Sequence, residues 1–190
     1  MYDSRSTKSA RCLLSCVIAL LIGGCSDGQR IGKYRYDVPT SYLVPNSSYP
    51  FFLPRSDDDG FIFILNPNAR LPEQNSVLVE DRNSVCTRAK GGPAYVNSTI
   101  CAPLEVEWKN RRWVRSGDET FWTYSPETRT GVPAPYVSCF KMQITGHPGL
   151  CHATLAHGDL AITIGFKDDE LPALQSKYSQ ALAHLSEWAR

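Results

Sequence analysis

Several common features are missing from this chain, and each absence removes a class of function. Charge of one sign is missing: 20 Lys and Arg stand against 19 Asp and Glu. There is no basic field for nucleic acid and no run of Lys and Arg to hold anionic lipid. A membrane-spanning run is missing too. The longest apolar stretch, CLLSCVIALLI at residues 12–22, falls short of the ~20 residues a spanning helix needs. Neither G-x-x-x-x-G-K nor H-E-x-x-H occurs, so a phosphate-cradling loop and a helical zinc pair both lack their starting residues. Internal repeats and low-complexity tracts are absent. What remains is a role in binding or in structure, with no catalytic residues and no cofactor expected.

The short apolar run has its own meaning. Arg5, Lys8 and Arg11 precede it, and Gly23, Gly24 and Cys25 end it. A positive start, a short apolar middle and small residues at the end describe a secretory signal peptide. Ile22-Gly23-Gly24-Cys25 resembles the lipobox of bacterial lipoproteins. That resemblance implies cleavage after residue 24, acylation of Cys25 and a stable hold on a membrane through several acyl chains. Ser26 rather than Asp after the cysteine implies the outer membrane. The expected organisation is a signal peptide over 1–24, a polar tether over 25–35 and a single domain over 36–190. The 20 basic residues less Arg5, Lys8 and Arg11 leave 17, and the 19 acidic residues less Asp3 leave 18, a net of −1.

The seven cysteines sort by position. Cys12 and Cys16 leave with the signal peptide, and Cys25 takes the lipid. Cys86, Cys101, Cys139 and Cys151 remain, an even number in an oxidising compartment, which indicates two disulfides. Of the three connectivities, Cys86–Cys101 with Cys139–Cys151 is favoured, because each pair brackets a turn-rich segment. Each bridge is worth about 3 kcal/mol on the chain-entropy estimate. Zinc is the rival reading, but no C-x-x-C knuckle is present.

The fold class expected is α+β, an antiparallel sheet with a C-terminal amphipathic helix. Pro39, Pro45, Pro50 and Pro54 forbid a helix interior early in the domain. FIFIL at 61–65 reads as a buried strand. SVLVEDRNSVCTR reads as a short strand or two, and LEVEWKNRRWVRSG as a hairpin turning at Lys109-Asn110. TFWTYS, YVSCFKMQI and LCHATLAHGDLAITIGF add strands, the last turning at His157-Gly158-Asp159. Leu171, Leu174, Tyr178, Ala181, Leu182, Leu185 and Trp188 recur at three and four, the period of one helix face. Asp168, Asp169 and Glu170 suit its positive end.

Chemistry is sparse. His152 and His157 are five apart, on opposite faces of any extended strand, and with His147 and His184 read as surface or turn residues. The aspartates of SDDDG are consecutive, whereas a calcium loop alternates its ligands. Trp108, Trp122 and Trp188 read as core. Trp113, beside Arg111, Arg112 and Arg115, is a candidate for a binding face.

YRYDVPTSYLVP at 34–45 and DDDGFIFILNPN at 57–68 resemble the start of small lipoproteins encoded beside type VI secretion phospholipase effectors, where they serve as immunity proteins. The resemblance implies a periplasmic protein whose partner is a cognate toxin effector. On that implication the contacts fall in the long loops Ser56–Gly60, Ala89–Ser98 and Ser125–Pro135. Asp57, Asp58 and Asp59 would meet basic groups and speed encounter, and Tyr95 would anchor. The competing expectation is a structural or assembly lipoprotein of the envelope without a toxin partner.

Overall fold

A computed structural model describes residues 26–44, 60–70, 73–88, 100–101, 112–126, 136–141 and 148–190. Cys25, Asp57, Asp58, Asp59, Tyr95, the Leu104–Trp108 arm of the expected hairpin and most of the 125–135 loop lie outside these residues. No helix of the described residues is long and apolar enough to cross a membrane.

A seven-stranded antiparallel sheet forms the centre. Its strands are β3 (Gly60–Ile64), β4 (Ser76–Asp81), β5 (Trp113–Gly117), β6 (Phe121–Pro126), β7 (Tyr136–Phe140), β8 (Leu150–His157) and β9 (Leu160–Lys167). They lie in the order β3-β4-β9-β8-β7-β6-β5. Alternate residues point to one face, and that face is apolar. Phe61 and Phe63, Val77 and Val79, Cys151, Ala153 and Leu155, and Ile162, Ile164 and Phe166 are all buried on it. The helix α2 (Leu174–Trp188) covers it. Leu174, Tyr178, Ala181, Leu185 and Trp188, spaced four, three, four and three, are its buried residues. Trp188 meets Phe63 edge to face at 5.1 Å, and the Tyr178 hydroxyl donates to the Ala156 carbonyl of β8.

The entry to α2 is fixed by one carboxylate. A 3-10 turn over Asp168–Ala173 precedes it. Glu170 Oε2 accepts the Lys167 backbone N–H at 2.9 Å and the Asn75 amide at 3.1 Å. Lys177 completes the group, 3.2 Å from Glu170 Oε1. Burial raises the Glu170 pKa, and the bonds from Lys167, Asn75 and Lys177 outweigh burial and hold it below the usual value.

Two stretches differ from the sequence reading. Residues 25–35 were expected to be a tether, yet the described part is a hairpin. Strand β1 (Ser26–Ile31) pairs antiparallel with β2 (Tyr34–Pro39). Ile31, Tyr36 and Val38 bury one face against the core, while Arg30, Arg35 and Asp37 belong to the other face. β2 also meets the far end of the chain, through a bridge between Tyr36 and Ala189 and an ion pair between Asp37 and Arg190. The second difference is α1 (Arg82–Arg88), which follows β4 at once where further strand was expected. Asp81 Oδ1 accepts the Ser84 N–H at 2.8 Å. That bond satisfies a free donor of the first turn and turns the chain helical despite Val85.

Candidate functional site

The two bridges close as expected, Cys86–Cys101 and Cys139–Cys151. Cys139 and Cys151 sit directly opposite each other on β7 and β8 and are fully buried. Asp168 Oδ1 lies 3.6 Å from the Cys151 sulfur and 3.9 Å from that of Cys139. The same oxygen accepts the Trp122 indole N–H at 3.2 Å. Cys139, Cys151 and Asp168 are grouped closely enough for a metal, but the sulfurs are spent on each other and offer no thiolate. The zinc reading of these cysteines therefore has no support in the oxidised chain.

Cys86–Cys101 shapes a different place. Val85, Cys86 and Cys101 pack around Ile100 and Ala161, pinning α1 to β9. Glu80, only 7% exposed, pairs with Arg88 in the last turn of α1. The segment that leaves at Arg88 and returns at Ile100, which contains Tyr95, is thus rooted at both feet.

The chain that carries Asp57, Asp58 and Asp59 enters β3 at Gly60. Gly60 lies opposite Glu80 on β4, and Asp81 lies opposite Leu160 on β9. The Arg82 N–H donates to the Asp159 carbonyl at 2.8 Å. The feet of two of the three expected contact loops, Ser56–Gly60 and Ala89–Ser98, therefore belong to one end of the sheet, although their tips lie outside the described residues.

Two tight turns complete that end. The Lys33 ammonium is 2.9 Å from Asp159, and the Tyr34 hydroxyl donates to the same carboxylate at 3.1 Å. Hydrogen bonds from Lys33 and then Tyr34 hold the Asp159 carboxyl below its usual range. Gly158, at φ +54, makes the turn that presents it, because a residue without Cβ takes that conformation freely. Between these turns and α2 is a hollow of about 280 Å³ lined by Tyr34, Tyr36, Asp159, Leu182 and Leu185 among others. Sequence reasoning missed this cluster. The only local signal was the His-Gly-Asp turn, because Lys33 and Tyr34 reach Asp159 across the fold.

The expected alternative face around Trp113 and Arg115 is only partly what the sequence implied. Trp113 packs against the core. Arg115 lies over the Trp122 ring at 4.7 Å, a cation–π contact. The exposed apolar residues there are Val114, at 46%, and Phe121, at 52%. His147 lies outside the described residues, and neither His152 nor His184 is the surface residue expected: both are half-buried, His152 beside Phe140 and His184 stacked on Trp188 at 5.0 Å. His152 and His157 lie on opposite faces of β8, and burial lowers the pKa of His152.

No family model matches the chain, and no curated protein matches its sequence. Among solved structures it is similar to an immunity protein of the Stenotrophomonas maltophilia type IV secretion system, at 10% identity and a TM-score of 0.49. That alignment covers 88% of this chain and 94% of the other. A likeness of that degree is too slight to carry fold or role from one chain to the other.

Proposed function

We propose that this protein is a lipid-anchored periplasmic immunity protein. It binds and neutralises a toxin delivered by a type VI secretion system, specifically a phospholipase effector, and it acts by binding rather than by chemistry. The observation that carries this reading is the shared end of the sheet. The chain bearing three consecutive aspartates enters there, at Gly60. So does the segment around Tyr95, whose feet are held by a disulfide and an ion pair. A segment rooted in this way loses less freedom when it docks, and three carboxylates entering at the same end would favour a basic cleft. Two closed bridges suit an oxidising compartment, and the lipobox of residues 22–25 would keep the blocker at the membrane its target attacks.

Co-expression with the product of the adjacent gene tests the reading. Cells making both should survive, and the two proteins should co-purify. A protein that neither protects cells nor forms a complex with that product is not its immunity protein. Replacing Asp57, Asp58 and Asp59 by Ala should slow association and flatten its salt dependence, while Tyr95→Ala should speed dissociation. Unchanged rates in both variants would move the interface elsewhere.

A further inference from the structure

The register of the N-terminal hairpin places Arg30 directly opposite Arg35. Residues opposed in an antiparallel pair share a face, and both arginines are exposed. Like charges so placed destabilise a sheet. Among the described residues, Arg30 bonds only its own turn, through the Gly32 carbonyl. Neither guanidinium pairs with a carboxylate among the described residues. Asp37, on the same face, is already taken by Arg190. The outer face therefore carries Arg30, Arg35 and Arg190 against one aspartate, an excess that no run in the sequence displays.

The hairpin begins at Ser26, the residue after Cys25. On the lipoprotein reading, on which this inference rests, no slack separates the acyl chains from strand β1. Arg30 is then only about 16 Å along the strand from the anchor. We propose that the outer face of the β1–β2 hairpin is a docking surface for anionic phospholipid, lying against the head groups with lipid phosphate between Arg30 and Arg35. Guanidinium and phosphate match in charge and in fork geometry, and a bound phosphate removes the repulsion that the free hairpin bears. Anchored in this way, the domain lies along the membrane instead of swinging from it.

The test is arginine labelling with phenylglyoxal, mapped by mass. The full processed chain is placed on vesicles of phosphatidylcholine alone, or of phosphatidylcholine and phosphatidylglycerol in equal parts. Arg30 and Arg35 should label several-fold more slowly on the anionic vesicles, and high salt should abolish the difference. Arg115, on the far edge strand, should label equally on both. Arg30→Gln with Arg35→Gln should weaken vesicle binding of chain released from its lipid by about 25-fold, at roughly five-fold per arginine, with a small rise in Tm. Equal labelling of Arg30 and Arg35 on the two vesicles overturns the proposal. So does protection that appears only when the toxin is added, which assigns the face to a protein. Intact mass judges the anchor separately. A chain without acyl groups sinks the lipoprotein reading, while protection by added anionic vesicles still decides the hairpin face. If the double variant does not fold, the comparison on the unaltered chain decides alone.

Discussion

Cys139–Cys151 joins residues that already face each other on neighbouring strands, whereas Cys86–Cys101 joins a short helix to a residue beyond its end. Their sequence separations are 12 and 15, so chain entropy assigns them almost the same value, about 3 kcal/mol each. Their surroundings differ. The first is sealed in the core, with Asp168 and Trp122 closing over it. The second is half-buried, beside Val85, Ile100 and Ala161. Loop length alone does not separate a bridge that completes a core from one that fastens a short helix at its edge. Burial does.

The largest effect should come from removing the first bridge. Cys139→Ala with Cys151→Ala should cost about 4 kcal/mol, the loop term plus vacated core volume, measured by urea unfolding. Cys86→Ala with Cys101→Ala should cost about 3 kcal/mol. Its signature is faster proteolysis between Arg88 and Ile100, with hydrogen exchange of the central sheet unchanged. Equal costs and equal exchange in the two variants would erase the distinction.

Gly149→Ala sharpens the same comparison from outside the bridge. A Cβ there would come within 2.3 and 2.4 Å of Trp122 ring carbons. The indole must shift away from Asp168, at a cost of about 2 kcal/mol. Near-ultraviolet circular dichroism should register the moved indole, and an unaltered spectrum would mean that the ring has room after all.

The smallest effect is at the entry to α2. Because the Glu170 pKa is lowered on folding, the carboxylate stabilises the fold above its unfolded pKa. That contribution is lost as pH falls through the lower folded value, so it fades below about pH 4.5, the unperturbed value. Glu170→Gln should cost less than about 1 kcal/mol at neutral pH after solvent screening and should flatten the acid limb of a stability–pH curve. A variant whose acid limb overlays the native one would show that Glu170 does not titrate with folding.

Much of the fold was legible because its signals are local. Phe61 to Leu65, the turn at Gly158 and the three-and-four spacing from Leu174 to Trp188 each announce one element. The cysteine pairing was legible because each pair brackets its own turn. The N-terminal hairpin was not, since half its residues are polar and it lacks bulky periodicity. Helix α1 was masked by Val79 and Val85, and only Asp81, three residues before Ser84, marked its start. At the candidate site, Lys33, Tyr34 and Asp159 meet through contacts spanning most of the chain, and Arg30 and Arg35 become a pair only once register is known. Such features belong to tertiary structure, and no window of the sequence contains them.

The β1–β2 ladder also has a mechanical consequence. Ser26 lies at the open end of the hairpin, opposite Pro39, while β2 is secured to Ala189 and to the core. A pull on the chain at Ser26 along the strand loads every rung of the ladder in shear at once. An outward pull peels the rungs one by one. The same six residue pairs thus resist drag parallel to their axis far better than lift away from it.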